Sequence, residues 1–317
     1  MQIPITVFTG YLGSGKTTII INLVKQLPAD YKLVLLKNEF GSIDVDSQLA
    51  KENNIQVKEM LNGCLCCVLV GKLENALKEI LAKYTPERII IETSGSAYPG
   101  PIAWEIRRLQ DYLKLDGIVT VIDALNFPGY KDKSYTAKLQ AKETDLILIN
   151  KHENIPEVKL DKVLDDVYDI NPSTPKVKTD HGRVNSDLIF GIDTKLFNNL
   201  AQVNGEVQQI DPNHQHKEVD MIEVVTAKNL SKEQLTTILK KLPSLDFYRI
   251  KGIINDTGKA YLLNYVFGKL HWQLLNSIPG PKNKILFLGK NFAYHSKQLK
   301  SDLNLEEDEL KFYPRSS

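Results

Sequence analysis

Short apolar runs alternate with amphipathic segments along the first half of the chain. Near-continuous apolar runs of this kind predict strands buried on both faces, as in a parallel sheet. They are IPITVFT (3–9), KLVLLKN (32–38), ERIIIET (87–93), GIVTVID (117–123) and DLILIN (145–150). Residues 17–27, 71–84 and 102–113 carry apolar positions at helical spacing. The alternation predicts an α/β, mostly parallel, doubly wound domain over residues 1–197.

The pattern changes after a polar stretch at residues 198–218, which we interpret as a linker. Strand-like runs then follow at 219–227, 247–255, 259–268 and 283–289, with a helix-like segment at 231–242. This arrangement predicts a smaller α+β domain over residues 219–312. The final residues, EEDELKFYPRSS, are expected to form a solvated tail.

Composition and charge narrow the class of protein. Of the 317 residues, 42% are hydrophobic and 25% charged, which is typical of a globular protein. The net charge of +1 gives no reason to expect nucleic acid or an anionic membrane as a partner. No apolar run approaches the roughly 20 residues that span a bilayer, and MQIPITVFTG does not resemble a signal peptide. We therefore expect a cytoplasmic protein, with the nucleus as an open alternative.

The first strand leads into GYLGSGKTT, which matches the phosphate-binding pattern G-x-x-x-x-G-K-[ST]. The glycines allow successive backbone N–H groups to face phosphate oxygens, and the following helix adds its positive end. Lys16 is expected to reach the β and γ phosphates, and Thr17 to place a hydroxyl on Mg²⁺. The predicted nucleotide ligands here are Gly10, Tyr11, Leu12, Gly13, Ser14, Gly15, Lys16, Thr17 and Thr18.

An acidic residue ends the run IIIET at Glu92. A carboxylate at the end of a buried strand suits Mg²⁺ or its water ligands, although a capped strand end is an alternative. Gly95 follows three residues later and can bring its N–H close to a γ-phosphate. Lys16, Thr17, Glu92 and Gly95 are therefore the predicted catalytic residues.

The run DLILIN leads into Asn150, Lys151 and Glu153, a variant of the N-K-x-D pattern that binds guanine. A Glu carboxylate offers the same two acceptors as Asp on a stem that is one methylene longer. Adenine would present an acceptor there and be repelled by the carboxylate. The sequence predicts a guanine site, with an ordinary polar strand end as the alternative.

All three cysteines lie within four residues, at Cys64, Cys66 and Cys67. An odd, clustered set is a poor disulfide framework and is more typical of metal binding. Three thiolates leave one position on a tetrahedral ion, and soft ligands suit Zn²⁺, with Co²⁺ or Ni²⁺ as alternatives. Buried structural cysteines and a redox trio are the competing interpretations.

Taken in order, GYLGSGKTT, NEFG (38–41), GCLCC (63–67), ETSG (92–95) and NKHE (150–153) resemble the CobW-type GTPases, which are related to the nickel-insertion GTPases of hydrogenase and urease maturation. The resemblance covers nearly the whole chain and implies a SIMIBI-type P-loop domain with a CobW-like C-terminal domain. It also implies a GTPase that carries Zn²⁺ or Co²⁺ to a client metalloprotein. In eukaryotic relatives this client is a methionine aminopeptidase.

The resemblance assigns further roles. Residues 38–41 would form a first switch, with Glu39 near Mg²⁺ or the carried metal, and Cys67 would lie by the nucleotide. Glu74 would be a peripheral metal ligand. We hypothesise that GTP and Mg²⁺ order residues 38–46 and so gate metal binding at the cysteines. A regulatory switch with structural cysteines and an ATP-preferring ATPase or kinase are the rival functions, and homo-oligomerisation is left open.

Overall fold

The computed structural model describes residues 2–37, 56–59, 70–95, 97–127, 129, 135–191, 219–266, 268–275 and 283–315. The chain divides into two compact units, Met1–Asp193 and Thr194–Ser317. The division lies close to the predicted linker at 198–218, which is outside the described residues. The exact domain bounds proposed from the sequence stay a prediction.

The first unit is built on a seven-stranded sheet of order β3-β2-β4-β1-β5-β6-β7, in which all neighbouring strands are parallel. Its strands are β1 (Ile3–Thr9), β2 (Leu33–Lys37), β3 (Gln56–Glu59), β4 (Arg88–Glu92), β5 (Leu113–Asp123), β6 (Leu146–Asn150) and β7 (Lys176–Lys178). Every residue of β2, β4 and β6 is buried. The prediction of parallel strands covered on both faces is confirmed.

Six helices accompany this sheet in the described residues: α1 (Lys16–Val24), α2 (Val70–Tyr84), α3 (Pro99–Arg108), α4 (Tyr135–Lys142), α5 (Glu157–Ile170) and α6 (Ser186–Ile189). Leu73 and Leu77 of α2 and Ile102 of α3 pack in one core with β1, β2 and β4. Leu160 and Val163 of α5 pack with β5 and β6. Because parallel strands place their carboxyl ends at one edge, the loops after β1, β4, β5 and β6 meet there.

The second unit contains a six-stranded antiparallel sheet of order β11-β10-β9-β12-β8-β13. Its strands are β8 (Asp220–Thr226), β9 (Phe247–Asp256), β10 (Lys259–Val266), β11 (Lys269–Leu274), β12 (Asn283–Gly289) and β13 (Leu310–Tyr313). Helices α7 (Lys232–Leu239) and α8 (Phe292–Asp302) pack through Leu235 and Leu299 on a core that includes Phe247 and Phe287. The prediction of an α/β P-loop domain followed by a smaller α+β domain is confirmed.

Two sequence predictions were wrong in detail. The C-terminal residues were expected to be a solvated tail, but β13 pairs with β8. Leu310 and Phe312 alternate along that strand, so both contact the core of the second unit. The helix predicted at 102–113 begins earlier, at Pro99, and ends at Arg108, because residues from Leu113 onward pair with β1.

A buried ion pair closes the amino-terminal edge of the first sheet. Arg88 and Asp116 are almost fully buried, and Arg88 Nη1 lies 2.8 Å from Asp116 Oδ2. The same carboxylate oxygen accepts the Gly191 N–H at 2.7 Å, and Arg88 Nη2 donates to the Gly191 carbonyl at 3.0 Å. The Arg88 guanidinium also lies 4.5 Å from the centre of the Phe190 ring. The Arg88–Asp116 pair thereby holds Phe190 and Gly191, the last described residues of this unit, in place.

We predict that Asp116→Asn destabilises the first unit by about 3–5 kcal/mol, because it leaves a buried guanidinium without its counter-charge. Urea unfolding of the variant and the wild type measures the change. Lys83→Ala, which removes the exposed Lys83–Glu79 ion pair, is the matched control and should change stability by less than about 1 kcal/mol. Equal effects of the two substitutions would contradict the role given to Asp116.

Candidate functional site

The phosphate loop joins β1 to α1 and depends on glycine at three positions. Gly10, Gly13 and Gly15 have φ angles of +130°, +76° and +97°. A Cβ atom at Gly10 would lie 2.2 Å from the Val121 carbonyl oxygen, and one at Gly15 would lie 2.3 Å from Asn150 Nδ2. The loop therefore adopts backbone conformations that favour glycine, and it lies directly against the carboxyl ends of β5 and β6.

Lys16 begins α1 and is 3% exposed. Its ammonium group folds back over the loop and donates to the carbonyl oxygens of Gly10 (2.9 Å) and Tyr11 (3.1 Å). A cation held at the rim of a loop and at the N-terminus of a helix provides a site for an anion such as a polyphosphate. The contact of Lys16 with the β and γ phosphates stays a prediction.

Thr17 and Glu92 are brought together from distant parts of the sequence. Thr17 Oγ1 donates to Glu92 Oε1 at 2.7 Å, and Glu92 is only 1% exposed. A hydroxyl and a buried carboxylate beside a phosphate loop are the donor set that Mg²⁺ takes in P-loop proteins. The residues present therefore fit Mg²⁺ together with a nucleotide.

Lys37, the last residue of β2, was not singled out from the sequence. Its Nζ lies 3.9 Å from Glu92 Oε2, and its side chain is 10% exposed. The parallel register pairs Lys37 with Glu92 across β2 and β4. The available signal was a lysine ending an apolar strand, but only the strand order shows which carboxylate it meets.

The loop after β4 lies close to the phosphate loop. A Cβ atom at Gly95 would lie 2.6 Å from the Leu12 amide nitrogen. The buried side chain of Gln140, on α4, donates to the carbonyl oxygens of Gly95 (3.1 Å) and Ala97 (2.6 Å). Gln140 therefore holds the backbone that was predicted to approach a γ-phosphate, and no sequence pattern marked it.

The predicted base-binding segment contacts the phosphate loop directly. Asn150 Nδ2 donates to the Ser14 carbonyl at 2.8 Å. Lys151 has a φ angle of +59°, and its Nζ donates to the Gly13 carbonyl at 2.6 Å and to Asp123 Oδ2 at 2.7 Å. Burial opposes ionisation of Asp123, but hydrogen bonds from Lys151 and Asn126 outweigh it and lower the pKa of that carboxyl.

Glu153 contacts a reverse turn that the sequence did not reveal. Its Oε1 accepts the backbone N–H of His181 at 2.5 Å, within a turn whose ends, Asp180 and Arg183, exchange two backbone hydrogen bonds. Glu153, Asp180 and His181 each bring a potential metal-ligand atom within 4.8 Å of the others. The direct contact of Glu153 with guanine stays a prediction.

Of the predicted metal ligands, only Glu74 lies among the described residues. Cys64, Cys66, Cys67 and Glu39 lie outside the described residues, so their assignment stays a prediction. Glu74, on α2, is described.

The Glu74 carboxylate contacts cations on two helices. It lies 2.7 Å from Lys78 Nζ and 3.5 Å from Arg108 Nη1. The hydrogen bond from Lys78 lowers the pKa of Glu74. A metal ion at Glu74 would therefore compete with two cationic partners.

No helix among the described residues is both long enough and apolar enough to cross a membrane.

We predict that Gly15→Ala weakens GDP binding by at least about tenfold, because it combines a strained backbone with the contact to Asn150 Nδ2. Isothermal titration of GDP measures the change. Gly13→Ala is the matched control, since it has a positive φ but no atom within 4 Å of the added Cβ. Equal losses for the two variants would show that the approach of Asn150 is unimportant.

The lowered pKa of Asp123 predicts a pH dependence. A carboxyl whose pKa is lower in the folded state contributes stability above its ordinary pKa of about 3.9 and loses this contribution as the pH falls through the folded value. The wild type should have a higher free energy of unfolding than Asp123→Asn. This difference should be largest at neutral pH and should vanish in strong acid. Urea unfolding over a pH series measures it, and a difference that grows on acidification would contradict the assignment.

Comparison with known proteins shows which family this chain resembles. Residues 4–178 match the family model described as CobW/HypB/UreG, nucleotide-binding domain. The zinc chaperone YjiA of Escherichia coli is 33% identical over 198 residues, covering 59% of this chain and 61% of that protein. The zinc chaperone CobW of a Sinorhizobium species is 28% identical over 299 residues, covering 83% and 84%. The zinc-regulated GTPase metalloprotein activator 1 of Schizosaccharomyces pombe is 32% identical over 219 residues, covering 65% and 53%.

The aligned part of this chain spans about three fifths of the length of the E. coli protein YjiA. Among solved structures, the Zn(II)-bound YjiA GTPase from E. coli aligns over 97% of this chain and 100% of that chain, with 22% identity and a TM-score of 0.47. The family model covers more than half of the present chain and includes the phosphate loop, Glu92 and Asn150. The chain therefore belongs to the CobW/HypB/UreG family, and the matched region is that family's nucleotide-binding domain.

Proposed function

We propose that this protein is a GTP-binding and GTP-hydrolysing metallochaperone that carries Zn²⁺ at Cys64, Cys66 and Cys67 and delivers it to a client metalloprotein. The observation that carries the proposal is the corner formed by Thr17, Glu92 and Lys37. At this corner a predicted Mg²⁺ site meets the end of β2. From β2 the chain runs on through Glu39 to the cysteines.

The nucleotide part of the proposal rests on the phosphate loop and its neighbours. Gly10–Thr18 would hold the phosphates of GTP, and Thr17 with Glu92 would hold Mg²⁺. Bound Mg²⁺ would neutralise charge on the β and γ phosphates. Lys16 would add its positive charge at the loop, and Gly95 would bring its N–H towards the γ-phosphate. Asn150, Lys151 and Glu153 would form the base end of the site.

The metal part of the proposal rests on the cysteines and on the relatives' names. Two relatives are named zinc chaperones, and one is named a zinc-regulated GTPase metalloprotein activator. Three thiolates within four residues suit Zn²⁺, with Co²⁺ and Ni²⁺ as the other candidates. Glu39 and Glu74 are proposed as additional ligands. Release of Zn²⁺ would follow hydrolysis of GTP, which removes the γ-phosphate from the corner beside Lys37.

The client would be a metalloprotein, consistent with the name of the S. pombe relative. A methionine aminopeptidase is our working candidate from the family resemblance. We further propose a cytoplasmic location and no nucleic-acid or membrane partner. Self-association of the chain is testable by sedimentation.

Gating by nucleotide makes a quantitative prediction. Zn²⁺ should bind at least about tenfold more tightly in the presence of a non-hydrolysable GTP analogue than in the presence of GDP. Because linkage is reciprocal, Zn²⁺ should strengthen binding of the analogue relative to GDP by the same factor. Competition with a chromophoric chelator measures the metal affinity. The matching ATP analogue, at the same concentration, should leave the Zn²⁺ affinity at its nucleotide-free value.

Cys66→Ser serves as the companion variant. It should remain folded by circular dichroism and still bind GDP, but lose most of its Zn²⁺ affinity. Unfolding of this variant would favour structural cysteines in a regulatory switch. Equal Zn²⁺ affinity with both guanine nucleotides would overturn the gating, and an equal response to the ATP analogue would overturn the guanine preference.

A further inference from the structure

The reverse turn Asp180–Arg183 has a fixed shape. His181 and Gly182 have φ angles of +50° and +74°. Asp180 N–H donates to the Arg183 carbonyl at 2.9 Å, and Arg183 N–H donates back to the Asp180 carbonyl at 2.8 Å. Two consecutive positive φ angles closed by two backbone bonds describe a tight turn of the type that joins hairpin strands. Its backbone groups therefore have defined directions.

The turn lies beside the helix that follows the phosphate loop. Asn22 Nδ2, on α1, donates to the Gly182 carbonyl at 2.9 Å. A Cβ atom at Gly182 would lie 3.4 Å from Thr18 Cγ2. Gln26, two residues beyond the end of α1, donates to the Val184 carbonyl at 3.0 Å. The turn is thus held on the same edge of the sheet as the phosphate loop.

The segment Asn150–Glu153 holds the other side of this turn. Asn150 Oδ1 accepts the Thr179 hydroxyl at 2.7 Å, and His152 Nε2 lies 2.7 Å from the Thr179 carbonyl oxygen. Glu153 Oε1 accepts the His181 N–H at 2.5 Å, while the Glu153 side chain is only 15% exposed. A carboxylate that accepts a backbone N–H makes a charge-assisted bond, which is stronger than a neutral one.

We propose that Glu153 is a positioning residue that holds the turn Asp180–Arg183 beside Asn150, so that the turn, and not the Glu153 carboxylate, completes the base pocket. The inference rests on the proposed nucleotide function and deepens it. Direct bidentate binding of guanine needs both carboxylate oxygens to face the base, whereas Oε1 faces the His181 amide. An Asp at this position would be shorter by about 1.5 Å, one carbon–carbon bond, and would not span this distance.

The two roles predict opposite results for Glu153→Gln. A Gln side chain keeps an oxygen that can accept the His181 N–H, so positioning predicts a GTP affinity within about threefold of wild type and an unchanged preference for GTP over XTP. Direct binding predicts loss of GTP affinity and a gain for XTP, because the Gln NH₂ group would pair with the second carbonyl of xanthine. Displacement of a fluorescent GDP analogue measures both affinities.

Glu153→Asp supplies the second comparison. If Glu153 is a positioning residue, Glu153→Asp should lower the affinities for GTP and for ITP by the same factor of about ten. ITP lacks the 2-amino group of guanine. Hydrogen exchange should show the His181 amide protected in the wild type and in Glu153→Gln but exposed in Glu153→Asp. The matched controls are Glu157→Gln and Glu157→Asp, since Glu157 is exposed at the start of α5; these should change none of the readouts.

The outcomes separate the inference from the function on which it rests. If the wild type fails to bind GTP, the proposed nucleotide function and the positioning role both fail. If the wild type binds GTP and Glu153→Gln shifts the preference to XTP, only the positioning role fails. Equal protection of the His181 amide in all variants would also overturn it.

Discussion

The Asn150 side chain is the constraint on which the nucleotide site depends. It is 4% exposed, donates to the Ser14 carbonyl and accepts from the Thr179 hydroxyl. A buried amide that loses either partner leaves a polar atom unsatisfied, at a cost of about 1–3 kcal/mol. One side chain therefore links the phosphate loop, the end of β6 and the segment leading to the reverse turn. The same contact explains why position 15 has no room for a Cβ atom.

A second link connects the phosphate loop to the cysteine-containing part of the chain. Strand β2 ends at Lys37, beside Glu92, and Glu92 binds the hydroxyl of Thr17. Any ligand that draws Thr17 or Glu92 towards itself changes the surroundings of the Lys37 ammonium. Because the chain continues from Lys37 to Glu39 and then to Cys64, the proposed coupling between phosphate binding and metal binding would begin at this contact. Two discrete arrangements of this corner would be needed for such coupling.

The sequence predicted the features that depend on local patterns and missed those that depend on strand order. Continuous apolar runs such as RIIIE identified buried parallel strands, and the glycines identified the phosphate loop. In contrast, Gln140 and Lys37 meet Gly95 and Glu92 only after the sheet has formed. The strand Leu310–Tyr313 was missed because its charged neighbours hid an alternating pair of apolar residues. The reverse turn at 180–183 was missed because the side chains that form hydrogen bonds with it, Asn22 on α1 and Glu153, are distant in the sequence.

The five-residue strand β4 shows how the fold separates stability from chemistry. Its first residue, Arg88, is fully buried against Asp116 at the amino-terminal edge of the sheet. Its last residue, Glu92, is buried against Thr17 at the carboxyl edge. Both are charges that need partners, but the Arg88 partners anchor Gly191, whereas the Glu92 partners face the phosphate loop. Because a parallel sheet places all its carboxyl ends together, ligand-binding groups gather at one edge, and the opposite edge can hold a buried ion pair whose role is structural.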